Sequence, residues 1–270
     1  PSDRYFAATR LGLCGCDKTL NALIRATREL RTDELFDRIT RRKAIEALGR
    51  RKDIRAIRPL VDVLACSDTE AVINAISALT RIGWSPAPAE HDQLLNLLES
   101  EDVTLSRAVI QAFTRLSIKS SASRSCIGEL CDHESALVSG AARACLSKLY
   151  GEKGLMQPLL TQLTDLVAGK RRSAVIDIGD CGDQCFLPDL VKAPVSMSLR
   201  AKSFLQIAEV GGLLEVDFYH DLFKRLLLDN PLFLELNDDW KCGLTPEDIE
   251  QNLSHRDEAR QYGAAASLMR

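Results

Sequence analysis

Aromatic residues are scarce in this sequence, at 5% of 270 positions, and Trp, Met and His number only two, three and four. Sheets draw on aromatic and β-branched side chains, so a chain poor in aromatics and rich in Ala and Leu favours closely packed helices. A positive excess is missing too: 38 acidic against 35 basic side chains leave a net charge of −3. A protein that grips phosphates usually carries a basic total, which sets nucleic acid aside as a partner. No run of about 18 apolar residues occurs, so no membrane span is expected, and no secretory signal is visible. His91, His133, His220 and His255 are scattered without HExxH or other metal spacing, and no metal site is expected. The sequence holds no glycine-rich phosphate loop, no GxSxG and no nucleophile–base pair.

Cysteine, by contrast, is plentiful: Cys14, Cys16, Cys66, Cys126, Cys131, Cys145, Cys181, Cys185 and Cys242. The number is odd, no CxxC occurs, and most fall in apolar helical patterns, where Cys behaves as a small hydrophobe. This usage points to a reduced, cytoplasmic setting. Cys181 and Cys185, four apart, are expected on one helix. The sequence opens at Pro1 without Met and stops inside an Ala-rich helical pattern at Arg270, so terminal residues of a longer protein are expected to be missing.

The dominant feature is a repeat. Seven Ala-rich amphipathic runs share one pattern, six of them ending in an apolar–small pair and the fifth in Leu149-Tyr150: Arg4 to Gly12, Arg41 to Gly49, Ala75 to Gly83, Val109 to Ser117, Ala142 to Tyr150, Arg171 to Gly179 and Arg200 to Ala208. Successive offsets are 37, 34, 34, 33, 29 and 29 residues, and a looser eighth copy begins at Arg260. A Leu-rich run with apolar residues at i, i+3, i+4 and i+7 lies between neighbouring copies, as in Leu60, Val61 and Leu64. The small residue closing six of the runs suits a left-handed C-cap. Acidic stretches at Ser67-Asp68 and Ser100-Glu101-Asp102 supply N-caps. One such pair cannot bury its apolar face alone, but a stack of pairs can. The expectation is an all-α fold, a right-handed α-solenoid of HEAT-like helical repeats with about seven helix pairs. It forms a single domain over 1–270, with one helix layer lining a concave face. After Gly211-Gly212 the period fades, and 213–250 is expected to be an irregular helical cap or insertion.

Polar residues in one register of the Ala-rich runs mark candidate binding positions. Arg4, Arg41, Arg171 and Arg200 stand seven residues before the apolar–small pair, and Arg42 and Arg172 follow two of them. Ala75, Val109 and Ala142 interrupt this column in the middle copies. Guanidinium forks bind carboxylates bidentately. The same residues could instead form an inter-repeat ladder with Asp, satisfying helix ends. Asp177, Asp180 and Asp183 form the densest acidic cluster; Asp177 interrupts an apolar run, and the other two flank a Gly-containing turn without matching a calcium loop. Tyr219-His220 places two proton-exchanging groups together. The run His255 to Gly263 gathers Arg256, Asp257, Glu258, Arg260 and Tyr262 before an Ala-rich helix.

RYFAATRLGLC (Arg4 to Cys14), FDRITRRKAIEALGRR (Phe36 to Arg51), AVINAISALTRIG (Ala71 to Gly83), SRAVIQAFTRLS (Ser106 to Ser117), GKRRSAVIDIGDCG (Gly169 to Gly182), PVSMSLRAKSF (Pro194 to Phe204) and HRDEARQYGAA (His255 to Ala265) together resemble the E/F-type phycobilin lyases. Within these they look closest to the phycoerythrin branch (the CpeY, MpeY and MpeZ type). The resemblance spans essentially the whole chain. It implies a cyanobacterial, cytoplasmic phycobilin:cysteine lyase of the carbon–sulfur class, working near phycobilisomes. Its substrates would be free phycoerythrobilin and a cysteine of a phycoerythrin α subunit, joined by a thioether, with no permanently bound cofactor. An F-type lyase subunit is a possible partner. Some relatives isomerise the bilin to phycourobilin, so lyase–isomerase is one alternative; a bilin chaperone and a non-catalytic protein-binding scaffold are others. In this picture Arg41, Arg42, Arg171, Arg172, Arg200, Lys202, Arg256, Asp257 and Tyr262 bind the bilin, the arginines clamping its propionates. Asp177, Asp180, Tyr219 and His220 handle its protons.

Overall fold

The structure is a computed structural model that describes residues 2–29, 34–211, 216–241 and 244–269. Pro1, Gly212, Cys242 and Arg270 and the start of the 213–250 region, which figured in the sequence reading, lie outside the described residues. The described chain is all-helical, without strands, and divides into two compact units, 1–126 and 127–270.

The first unit contains α1 (Ser2–Leu11), α2 (Asp17–Glu29), α3 (Leu35–Arg51), α4 (Ile57–Val63), α5 (Thr69–Ile82), α6 (Pro88–Leu98) and α7 (Val103–Leu116); α8 (Ser121–Glu129) spans the boundary. The Ala-rich runs form one layer, in which α3 packs on α1 and on α5, and α5 packs on α7. The Leu-rich runs α2, α4 and α6 back onto α3, α5 and α7. Helix α5 shows why. Asp68 accepts a hydrogen bond from the Ala71 N–H at its N-terminus, which satisfies one of the orphan donors there. Ala71, Val72, Ala75, Ile76, Ala78 and Leu79 are buried, a helical spacing of apolar side chains. Gly83 then closes the helix at φ 84°, a conformation glycine adopts cheaply. Asp102 caps α7 in the same way, accepting from Thr104 N at 2.8 Å and Leu105 N at 3.1 Å.

The second unit contains α9 (Ala136–Tyr150), α10 (Gln157–Gln162), α11 (Ala168–Cys181), α12 (Leu187–Lys192), α13 (Met197–Gly211), α14 (Val216–Leu228), α15 (Pro246–Leu253) and α16 (Glu258–Leu268). Helix α11 lies between α9 and α13, while α12 and α14 cover α13. Val175, Ile178, Leu187, Leu190, Phe204 and Ile207 are at the centre of its main core. The region expected to be irregular consists of α14 and α15 joined through short 3-10 turns at Pro231–Phe233 and Asp238–Trp240. The looser eighth copy forms α16. It shares a separate small core with Leu234, Leu236 and Trp240, to which it contributes Ala259, Ala266 and Tyr262.

The small residues that close the runs serve two different purposes. Gly83 and Ser117 are left-handed C-caps, as expected. Gly49 and Gly179, however, lie inside α3 and α11, which end in the left-handed residues Lys52 and Gly182. A Cβ on Gly49 would stand 2.7 Å from Ala78 Cα, and one on Gly179 would stand 2.8 Å from Ser203 Cβ. Gly12 meets Ala47 Cβ at 2.8 Å in the same sense. These glycines are where one repeat helix touches the next. Cys181 ends α11, whereas Cys185 lies beyond the Gly182 cap in a 3-10 turn, so the two do not share a helix.

Candidate functional site

The arginine column resolves into contacts between successive elements. Arg41 donates from Nε to the Thr27 carbonyl at 2.9 Å and lies 3.1 Å from Cys66 Sγ through Nη1. Arg42 grips both oxygens of Asp68, the cap of α5. That contact and the Ala71 N–H outweigh the cost of burial and hold the Asp68 carboxyl below its ordinary value. Arg4 pairs with Asp37 at 3.0 Å in the same manner. Here the ladder reading describes the geometry: Arg4 and Arg42 reach carboxylates at the start of a neighbouring helix, and Arg41 a carbonyl at the end of α2.

In the second unit the same rule draws together residues far apart in sequence. Arg171 is fully buried. It donates to the carbonyls of Asp165 at 2.7 Å and Leu166 at 3.1 Å, pairs with Asp257, and lies with its guanidinium carbon 4.8 Å from the centre of the Trp240 ring. Burial lowers its proton affinity, and Asp257 opposes that shift. Asp257 also caps α16 through the Ala259 N–H. Arg172 forks onto Glu258 at 2.6 and 3.2 Å. Arg200, 1% exposed, donates to Val195 O at 3.1 Å and Val191 O at 2.8 Å and pairs with Asp229, which also accepts from the Tyr262 hydroxyl at 3.0 Å. Burial is the main cause that pushes the Tyr262 phenol up. Asp229 holds φ 46°, a left-handed conformation that Asp tolerates better than most residues.

The structure therefore places these residues in three neighbouring contacts, Arg171 with Asp257, Arg172 with Glu258, and Arg200 with Asp229 and Tyr262. Each guanidinium is held by a carboxylate or a helix-end carbonyl, while Arg200 also borders a cavity of about 260 Å³ with Leu222, Arg225 and Phe233, and the Arg172 side chain is 42% exposed. Lys202 and Arg256 are exposed; the Arg256 carbonyl accepts from Arg172 at 3.4 Å. Asp177 and Asp180 are each 1% exposed on α11. Asp177 fills the space over Gly140, where a Cβ would lie 3.0 Å from its Oδ2, and Asp180 accepts from Gln206 at 2.6 Å. Asp180 is thus helical and closed off rather than part of a turn. Asp183 is the turn residue, accepting from Cys185 N at 3.1 Å. Tyr219 is half-buried with its ring edge-on to Phe204, while His220 is exposed and borders a shallow recess with Phe223, Lys224 and Leu227. Among the described residues no three His, Cys, Asp or Glu side chains converge to hold a metal ion, and no helix is long and apolar enough to cross a membrane.

Open, polar-edged space lies elsewhere, between α5 and α7. The outward face of α5 presents Ile73, Ser77 and Thr80; that of α7 presents Arg107, Ala108, Gln111 and Arg115. They line a groove of about 280 Å³. At Arg115 it meets a cavity of about 700 Å³ at the C-terminal ends of the two helices, bordered by Trp84, Pro86, His91, Leu116 and Lys119. Ser117 borders it too, a non-glycine residue at φ 55°. The His91 ring is fixed on both sides, its Nε2 3.1 Å from Ser120 Oγ and its edge against Phe113 at 5.6 Å. The sequence carries a signal for this groove: Arg107, Gln111 and Arg115 recur every four residues along α7, a helix without a member of the arginine column.

Paired helices stacked through glycine–alanine contacts and end-to-end arginine–carboxylate contacts define a HEAT-repeat protein, and residues 40–66 match the PBS lyase HEAT-like repeat. The chain is 29% identical over 237 residues to phycocyanin operon protein Y of Pseudanabaena tenuis, covering 86% of this chain and 55% of that one. It is 30% identical over 219 residues to the bilin biosynthesis protein PecE of a Nostoc species, covering 76% of this chain and 80% of PecE. The structure of the CpcE–CpcF complex of phycocyanin lyase from Nostoc shares the fold, with a TM-score of 0.71 at 22% identity over 83% of this chain and 89% of that one. The chain belongs to the E/F-type phycobilin lyase family. It spans about half the length of phycocyanin operon protein Y.

Proposed function

We propose that this protein is a phycobilin lyase that joins phycoerythrobilin through a thioether to a cysteine of a phycoerythrin α subunit, acting with a second, F-type subunit. The match to PecE over four-fifths of that protein's length carries the lyase part of the reading, supported by the shared fold of the two-chain CpcE–CpcF assembly; the choice of phycoerythrobilin and a phycoerythrin α subunit rests on the sequence resemblance to the phycoerythrin branch. The reaction adds a thiol across the ethylidene double bond of the bilin. Sulfur bonds to the exocyclic carbon, the proton ends on the adjacent ring carbon, and no oxidant or reductant is consumed. The attacking thiol belongs to the acceptor protein, so catalysis consists chiefly of holding a long, flexible tetrapyrrole in one pose beside it. A rigid row of helices suits that task. Asp177 and Asp180 lie closed within the helix packing and contribute by spacing α11 from its neighbours. Tyr219 and His220 stand nearer the surface and remain candidates for proton transfer.

The test is co-expression of the protein with bilin-producing enzymes and a phycoerythrin α subunit, with and without an F-type subunit. Denatured α subunit that stays coloured at one cysteine supports the reading. An α subunit that stays colourless, or that is coloured equally without this protein, refutes it and leaves a non-catalytic scaffold. The absorption of the attached pigment separates attachment from isomerisation, because shortening the conjugated system shifts it to the blue.

A further inference from the structure

We infer that the cavity enclosed by α12, α13, α14 and the turn at Pro231–Phe233 is a binding site for a free, compact organic carboxylate, whose apolar body enters the cavity while its charge is received by Lys192 and Arg225. The site lies wholly within the second unit and does not depend on the lyase reading. Three observations carry it.

The first is shape and size. Val191, Arg200 and Leu234 are at most 9% exposed and form the floor. Lys192, Arg225 and Phe233 are the exposed lining residues, which places the mouth among them. A pit with a floor takes a small molecule whole, where an open groove takes a length of chain. The volume of about 260 Å³ matches about nine water-sized groups at roughly 30 Å³ each. A phenyl ring or a short branched alkyl chain with one carboxylate has that bulk, and a linear tetrapyrrole is far too large to enter.

The second is charge. No Asp or Glu is among the residues that line the cavity. Arg200 is already matched, since it pairs with Asp229 and donates to the Val191 and Val195 carbonyls. Lys192 and Arg225, by contrast, have no side-chain hydrogen bond or ion pair with any described residue. Two uncompensated cations at one mouth, in a chain of net charge −3, select an anion. The end of α12 does not oppose it, because the Val191 carbonyl accepts from Arg200 and the Lys192 carbonyl accepts from the Glu235 N–H at 2.9 Å.

The third is the lining. Val191, Leu222, Phe233 and Leu234 bring apolar contact from α12, α14 and the turn. Phe233 stands at the lip, 55% exposed, and offers its ring to an aromatic body. Asn230 adds one placed polar group: its Oδ1 accepts from the Leu232 N–H at 3.0 Å, which leaves its amide nitrogen to donate to a carboxylate. An apolar wall with a few placed polar groups is the usual form of a small-molecule site.

Phenylacetate is the probe, and phenylacetamide, of the same shape without the charge, is the control. Calorimetric titration of the full chain is expected to show one site for phenylacetate and at least about tenfold weaker binding of the amide. Phenylacetate is also expected to raise the midpoint of thermal unfolding as its concentration rises. Lys192→Gln combined with Arg225→Gln is expected to bring phenylacetate down to the affinity of the amide and to leave the amide unaffected, because the pair of changes removes only the contact with charge. Both side chains are exposed, and circular dichroism checks that the variant is folded. Lys224→Gln, beside His220 at the separate recess on α14, is expected to leave binding unchanged. Equal affinity for acid and amide, a loss in Lys224→Gln to match the double variant, or no saturable binding of phenylacetate overturns the assignment. So does displacement of phenylacetate by biliverdin, which would make the cavity a subsite for the carboxylates of a pigment.

Discussion

Replacing Gly263 by Ala sets two effects of opposite sign against each other. Gly263 lies in the interior of α16, and Ala there gains about 1 kcal/mol from helix propensity alone. A Cβ at this position, however, would run into the carbonyl oxygen of Trp240 and stand 2.7 Å from its carbonyl carbon. Both obstructing atoms are backbone, so no rotamer change relieves the contact, and the turn must retreat by about 1 Å to restore ordinary van der Waals distance. That retreat lifts the Trp240 ring away from Arg171 and opens the small core of Leu234, Leu236, Ala259 and Ala266. Overpacking of this kind costs about 1–3 kcal/mol or more, with the upper end apt where backbone is displaced, so a net loss of about 1–2 kcal/mol is expected. The assay is urea unfolding followed by Trp fluorescence. The chain has two Trp, one in each unit, and a Trp84→Phe background makes Trp240 the reporter of the second unit. Gly169→Ala is the control: nothing lies within 4 Å of its Cβ position in α11, and it should stabilise by about 0.5–1 kcal/mol. If Gly263→Ala stabilises as much as Gly169→Ala, α16 does not lie against the Trp240 carbonyl and the account of this core is wrong.

Two further outcomes are expected. Asp257→Asn leaves the buried Arg171 guanidinium without its counter-charge and should cost about 3–5 kcal/mol in urea unfolding, whereas Arg171→Met together with Asp257→Asn should recover much of the loss; a double variant as unstable as the single one counts against an electrostatic origin. Cys16 and Cys185 should separate in alkylation: hydrogen bonds from Thr19 lower the first, while burial and the neighbouring Asp183 push the second up to about 11. The thiolate is the reactive form, so in peptide mass mapping across about pH 6–10 labelling of Cys16 should rise at lower pH than that of Cys185 and of a cysteine in an unfolded peptide; a Cys16 that labels no earlier than the unfolded peptide refutes the Thr19 contact.

Much of the fold was legible because a helical period survives in every copy. Ala71, Val72, Ala75, Ile76, Ala78 and Leu79 announce α5 without any knowledge of its neighbours, and Asp68 and Asp102 announce where helices begin. The role of Gly49 was not legible. A glycine at the end of an amphipathic run reads as a cap, and only the approach of Ala78 from the next helix shows it to be a contact point. The partners of the candidate arginines were not legible: Arg171 meets Asp257 and Arg200 meets Asp229 and Tyr262, but a guanidinium suited to a ligand carboxylate is equally suited to a capping Asp, and composition cannot choose between them.

The contact between Arg171 and Asp257 spans 86 residues of chain, and that between Arg200 and Tyr262 spans 62. During synthesis α11 and α13 emerge well before their acidic and phenolic partners exist. The first unit can complete its packing from its own residues, but two arginines of the second must wait, hydrated, until the last helix arrives. Contacts of such long separation are slow to form, and domains made early tend to fold first. The final step in maturing this molecule is then the drying of two guanidinium groups, and a chain cut short before residue 257 would halt at that step.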